Sequence, residues 1–230
     1  MIGVVVPAHN EESLIGSCLE SIFAAAQSPD LQGEPVEVVV ACDRCSDRTE
    51  YVARQLGARI AVLRSGNVGR ARAAGARLLL ADGARWLAFT DADSVVSPSW
   101  LADQLALKVD AVCGTIAVAD WESYGARMDA HFSATYFDRD GHRHIHGANL
   151  GVSADAYRRV GGFKALASSE DVALVRALDA SGASIAWSAA PRVVTSARKA
   201  FRAPDGFGAI LQRIHQEQSW ATATVVAASA

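Results

Sequence analysis

Cysteine is scarce in this chain. Its four residues, Cys18, Cys42, Cys45 and Cys113, are too few and too scattered among 230 for a disulfide framework. No excess of either charge exists: 22 Lys+Arg against 25 Asp+Glu leave a net charge of −3, so bulk electrostatics recruit no nucleic acid. No apolar run approaches the roughly 20 residues of a membrane span. The opening MIGVVVPAHNEES lacks a basic n-region, and its apolar run is too short for a signal peptide. Neither an internal repeat nor a Pro/Ser-rich linker interrupts the chain, so one domain is expected. What remains, 50% hydrophobic and 20% charged, is the make-up of a soluble globular enzyme, expected in the cytoplasm with membrane contact at most peripheral.

The first half alternates two periodicities. IGVVVPA, VEVVVAC, RIAVLRS and WLAFTDADS read as strands, the first a buried one of the parallel-sheet kind. Between them lie three helices. EESLIGSCLESIFAAAQ places Leu14, Ile15, Cys18, Leu19, Ile22 and Phe23 on one face; RTEYVARQLG is capped by Ser46 or Asp47 and closed by Gly57; GRARAAGARLLLADG follows. Strands alternating with helices mean parallel βαβ units in an open α/β sheet. Beyond about residue 110 the pattern loosens. VDAVCGTIAVAD and HIHGANLGVSA read as further strands, and the stretch between them has no steady period. SADAYRRVGGF is a helix with Ser153 as cap, and SSEDVALVRALDASG another, capped by Ser168 or Ser169. The expected division is a nucleotide-binding half over 1–110, an acceptor and catalytic half over 111–205, and a helix and tail over 206–230. The Ala/Thr-rich end is expected to order poorly.

In an open parallel sheet, ligands bind beyond the C-terminal strand ends. There the chain gathers His9, Asn10, Glu11, Glu12, Asp43, Asp47, Arg70, Arg72, Asp91 and Asp93. Carboxylates and arginines on one rim suit a polyanion held partly through a divalent cation. In FTDADS, Asp91 and Asp93 offer two hard oxygen donors fit for Mg²⁺ or Mn²⁺; the plainer reading is a turn cap. Glu170 and Asp171 open a helix, where acids complement the dipole or serve as a general base. His142, His144 and His146 would share one strand face. That suggests a pocket lining at least as well as zinc, since no acid stands at H-E-x-x-H spacing. The C-x-x-C of ACDRCSDRT lacks the further ligands of a zinc site and the helix of a redox motif, so its cysteines read as packing beside a more informative acid, Asp43.

Together and in order, these pieces resemble the family 2 glycosyltransferases of the GT-A fold, from Val4 to about Arg198. The resemblance implies an α/β, mostly parallel open sheet flanked by helices, and donor-side roles for Pro7, His9, Glu11 and Glu12 in VVVPAHNEE. It makes Asp43 the reader of the base and Arg72 a nucleotide or phosphate contact, with Ala73 in place of the usual Asn. Asp91 and Asp93 become the Mn²⁺ or Mg²⁺ motif, and Asp91 also a donor contact. GANLGVSADAYRRVGGF is similar to the acceptor-side segment, assigning His146, Gly147, Ala148 and Asn149 to the sugar pocket, with Trp121 and Glu170 as further acceptor contacts. Asp171 is the implied catalytic base. Arg198 is the implied diphosphate contact, and Thr195 stands where a histidine often sits.

The implied reaction is transfer of a sugar, with inversion, from a nucleoside-diphosphate donor to an acceptor hydroxyl. A UDP-sugar is favoured and a GDP-sugar is the second choice. A retaining enzyme of the same fold is the nearest rival. A nucleotidyltransferase or an NAD-dependent dehydrogenase would carry a Gly-rich loop after the first strand, and PAHNEES is not one. A non-catalytic nucleotide-sugar-binding protein would have little use for Asp91, Asp93 and Asp171 together. Acceptor identity and oligomeric state leave no mark in the sequence.

Overall fold

The computed structural model describes residues 1–121, 124–198 and 207–216. They form two compact units: Met1–Ala117 with Asp138–Thr195, and Val118–Phe137 with the described residues from Ser196 onward. The strands are β1 (Ile2–Ala8), β2 (Val36–Asp43), β3 (Arg59–Leu63), β4 (Trp86–Phe89), β5 (Val95–Val96), β6 (Ala111–Val118), β7 (Leu150–Ser153) and β8 (Ile185–Thr195). The helices are α1 (Ile15–Ala26), α2 (Thr49–Gln55), α3 (Val68–Ala81), α4 (Trp100–Ala106), α5 (Ala126–Thr135), α6 (Ala154–Arg159), α7 (Glu170–Ala180) and α8 (207–216). All eight strands join one sheet in the order β3-β2-β1-β4-β7-β6-β8-β5. β1 runs parallel to β2 and β4, and β2 to β3. β7 is antiparallel to β4 and β6, and β5 to β8. Strand order reverses on either side of β1, and a crevice at that switch point is where such sheets bind ligands.

β1 is a run of valines because both its faces are covered. Val5 joins Val39, Leu87, Phe89, Leu150 and Val152 beneath Ala76 and Leu79 of α3, Tyr157 of α6, and Leu174 and Leu178 of α7. Val4 and Val6 alternate to the opposite face and are equally buried. α3 approaches closely because Gly75 has no side chain; a Cβ there would lie 2.6 Å from Val5 Cγ1. In the second unit, Trp121, Tyr124, Met128, Phe132, Ala197, Phe207, Leu211 and Ile214 form a separate small core.

Several local expectations give way. Ser153 does cap α6, accepting from Ala156 N, and Gly161 and Gly162 end it at positive φ. Neither Ser46 nor Asp47 caps α2; Asp47 instead accepts from both the N–H and the hydroxyl of Thr49. Ser169 precedes α7 at φ 59 without capping it. β4 ends at Phe89, so Asp91 and Asp93 lie in a turn rather than on the strand. His144 and His146 fall outside β7, although the three imidazoles still stack, at 5.5 and 5.9 Å between centroids. β5, α4, α5 and β8 were not expected. β8 hides because Pro191 and Ser188 interrupt its apolar pattern and α5 because its stripe is weak. The Ala/Thr-rich end falls over 220–230, outside the described residues.

Candidate active site

The rim is built by loops leaving β1, β2, β3 and β4. After β1, His9 Nδ1 donates to the Asp43 carbonyl at 2.7 Å, and Asn10, at φ 54, accepts from Ser46 N at 2.7 Å. Glu11 is buried and its N–H donates to Thr49 Oγ at 2.7 Å. Glu12 and the β2–α2 loop bind reciprocally: Glu12 N donates to Asp47 Oδ2, and Arg48 N to Glu12 Oε2. Pro7 is half-buried in β1 opposite Ala41 of β2. The acids after β1 are thus tied to the loop carrying Asp43 before any ligand arrives.

Asp43 itself is buried, and its carboxylate holds the β3–α3 loop. Oδ1 accepts from Ser65 N at 2.6 Å, and Oδ2 from Ser65 Oγ at 2.6 Å and Asn67 N at 2.8 Å. Three of about four acceptor sites are taken, so little remains for a direct base contact. Asn67 in turn caps α3 by accepting from Arg70 N. Ser65 and Asn67 carried no recognisable signal in the sequence. Burial pushes the Asp43 carboxyl up, but the Ser65 hydroxyl and the N–H groups of Gly66, Asn67 and Ser65 outweigh it and hold it below the usual range. A depressed folded value means stability present above about pH 4 and lost as pH falls through the folded value. Melting midpoints of wild type should therefore fall more steeply than those of Asp43→Asn on acidification below about pH 4. Parallel profiles would contradict this.

Arg72 is only 4% exposed; Nη1 pairs with Glu170 and Nη2 with Asp91 Oδ1 at 2.6 Å. Its guanidinium lies 5.6 Å from the Phe163 ring centroid, and its Nε has no hydrogen-bond partner among the described residues. Burial works against this charge, but Asp91, Glu170 and Asp171 more than offset it. Gly147 is a glycine for the same reason: a Cβ there would meet Nη2 at 2.3 Å. Burial pushes the Glu170 carboxyl up against the pull of Arg72, with Asp171 adding to the rise. Glu170 is thus a buried strut rather than an exposed acceptor contact.

Asp171, beside it, is held by main-chain N–H groups. Oδ2 accepts from Gly147 N and Oδ1 from Val172 N, each at 2.8 Å. One chain of contacts therefore runs from Asp91 through Arg72 to Glu170, whose neighbour Asp171 is pinned to the Gly147 segment. Asn149 departs from its expected role as well. Fully buried, it donates to Thr115 O and Pro191 O at 2.7 and 2.9 Å and accepts from Trp100 Nε1 at 2.9 Å, so it braces β6, β8 and α4. Ala148 is buried beside it. Burial first, then the imidazoles of His144 and His142, push His146 down to about 3, leaving it neutral. Trp121 and Arg198 belong to the second unit, where Trp121 packs on Phe132.

The carboxylates fit a hard cation. Asp91, with 36% of its side chain exposed, commits only Oδ1 to Arg72. Asp93 follows two residues on, touched at 3.4 Å by Ser94 Oγ, which also donates to Thr195 Oγ1 at 2.9 Å. Among the described residues no cluster of three His, Cys, Asp or Glu side chains could close a metal site, the three histidines included. Two oxygen donors with open positions suit Mg²⁺ or Mn²⁺, which keep waters and accept phosphate oxygens, and do not suit a closed zinc site.

The family model described as glycosyl transferase family 2 matches residues 3–161. No curated protein sequence matches significantly. Among solved structures, S. aureus TarS 1–349 with UDP-GlcNAc is similar at a TM-score of 0.69 and 16% identity, over 93% of this chain and 65% of that one. The mannosyltransferase PcManGT of Pyrobaculum calidifontis, with GDP-Man and Mn²⁺, is similar at 0.62 and 21%, over 97% and 64%. Glucosyl-3-phosphoglycerate synthase of Mycobacterium tuberculosis, with Mn²⁺, UDP and glucosyl-3-phosphoglycerate, is similar at 0.55 and 19%, over 85% and 71%. The chain thus spans less than two thirds of the length of the first two, and at these identities the likeness shows the fold.

Proposed function

Because the chain belongs to glycosyl transferase family 2, we propose that it transfers a sugar from a nucleoside-diphosphate donor to an acceptor hydroxyl with inversion. The observation that carries this reading is the contact chain Asp91–Arg72–Glu170, which sets a cation-binding carboxylate and the Asp171 carboxylate on one rigid network. The base is assigned to Asp43, whose carboxylate holds the Ser65–Asn67 loop, and Glu11 and Glu12 are assigned to the donor. Asp91 and Asp93 hold Mg²⁺ or Mn²⁺; the chemistry such an ion supplies when bound is neutralisation of charge on the departing diphosphate. Asp171 takes the proton of the acceptor hydroxyl as it attacks the anomeric carbon. Gly147 N and Val172 N fix the direction of that carboxylate without using all its acceptor sites. A UDP-sugar remains the favoured donor and a GDP-sugar the second choice; the acceptor is an alcohol.

A melting panel of UDP- and GDP-sugars with and without Mn²⁺ tests the donor. A cognate donor at a hundred times its Kd adds about 2.7 kcal/mol, or roughly 5–10 °C for a chain of this size. That gain should vanish with chelator. Equal stabilisation in chelator would contradict the metal assignment, and a product of retained anomeric configuration by NMR would overturn inversion.

A further inference from the structure

β3 is an outer strand of the sheet, and one side of it lies open. Leu63 O accepts from Arg44 N at 3.0 Å, so Leu63 faces the β2 side. By alternation Ile60 and Val62 turn their N–H and C=O groups outward, where no strand pairs with them among the described residues. Val62 is also 65% exposed, an apolar side chain standing in water at the middle of that edge. Beside it runs a groove of about 540 Å³ between β3 and α3. Its floor is Ala61 and Leu63 of β3 with Ala74 and Leu78 of α3, all partly buried. Its rim is Arg64, Arg70 and Arg77, all exposed. Arg70, Ala74, Arg77 and Leu78 recur at helical spacing, so a single stripe of α3 serves the groove. None of the three guanidiniums meets a carboxylate among the described residues. Arg59, at the start of the same strand, is by contrast paired with both Glu37 and Asp82. Charge is a common way to blunt an edge strand. Here it is of one sign, so it repels a second copy of this edge and favours an acidic chain.

We propose that β3 and this groove take an extended acidic segment of a partner protein, added to the sheet as a further strand. Its main chain pairs with the outward groups of Ile60 and Val62. Ala61 packs on the α3 side of the sheet, where Arg70 and Arg77 stand, and Val62 alternates to the opposite face. The segment therefore alternates as well, with carboxylates toward the arginines and apolar side chains beside Val62. Arg64, one residue past the strand end, meets an acid at the end of the segment. The groove shares no residue with the network joining Asp91 to Asp171, so the docking site stands or falls apart from the donor reading.

A fluorescein-labelled seven-residue peptide alternating Glu and Val, followed by anisotropy on the full chain, tests the site. It should bind with a micromolar Kd that weakens as salt rises. The same peptide with Lys in place of Glu should not bind, nor should one with its Glu and Val residues in two separate blocks. Arg70→Gln with Arg77→Gln should weaken binding by about tenfold or more. Val62→Pro removes an outward N–H and no bond of the β2–β3 ladder, and should weaken binding by about tenfold as well. Amide exchange at Ile60 and Val62 of the wild type should slow when the peptide binds, a readout that needs no variant to fold. Undetectable binding, equal binding of the Lys peptide, or indifference to the two arginine substitutions overturns the acidic partner. Equal binding of the blocked peptide, unchanged affinity in a folded Val62→Pro, or unchanged exchange at Ile60 and Val62 overturns the added strand.

Discussion

Asp171→Asn should turn over roughly a hundredfold to ten-thousandfold more slowly than wild type, the range a positioned general base supplies. Donor affinity should stay nearly intact, because Asp171 stands on the acceptor side of the proposed reaction. The substitution is not silent structurally. Asp171 accepts from Gly147 N and from Val172 N, one bond at each oxygen. Asparagine keeps one acceptor and turns an NH₂ toward the other N–H, so one bond is lost at a cost of about 1–3 kcal/mol. The rate must therefore be compared at a temperature where melting shows both proteins folded. A variant with undiminished turnover would remove Asp171 from its role. A variant that loses donor binding in step with rate would show the carboxylate acting through Gly147 rather than on the acceptor.

Arg72→Met should be the most destabilising single change at the rim. The methionine fills much of the same space, but Glu170 is left buried without its cation and Asp91 loses its partner. Breaking a buried pair by removing one member costs about 3–5 kcal/mol, a melting midpoint lower by roughly 6–20 °C. The pH dependence separates this cause from poor packing. Burial already raises the Glu170 carboxyl in the wild type, and removal of Arg72 removes the side-chain charge that pulls it down. With a folded value above the unfolded one, the protonated form favours folding. Stability is then present below the unfolded value of about 4.3 and lost as pH rises through the folded value. The deficit of Arg72→Met should accordingly shrink on mild acidification, and Arg72→Met with Glu170→Gln should recover part of it at neutral pH. A midpoint equal to wild type's at pH 7 would contradict the strut.

The alternation of β1, α1, β2, α2, β3, α3 and β4 was legible because each element announces itself within a dozen residues. Valine runs mark strands covered on both faces, and Leu19 and Ile22 recur at helical spacing. The same local rule failed on β8, where Ser188 and Pro191 break the pattern and pairing with β5 and β6 supplies the strand instead. His142 to His146 alternate as a strand would, but no neighbouring strand pairs with them among the described residues. Asp91, Asp93 and Asp171 stand out by residue type beside element ends. Ser65 and Asn67 do not, since only the carboxylate of Asp43, more than twenty residues earlier in the chain, gives them a purpose.

The sequence by itself determined the βαβ frame, the family and the acids that gather on one rim, because periodicity and strand ends are local properties of the chain. Only the tertiary structure decided which of those charges remain available. Packing buries Arg72 between Asp91 and Glu170, and the Asn149 amide is spent on Thr115, Pro191 and Trp100. In each case the physical reason is the same. Desolvation obliges a buried polar group to find a partner, and that partner is chosen by the fold rather than by its neighbours in sequence.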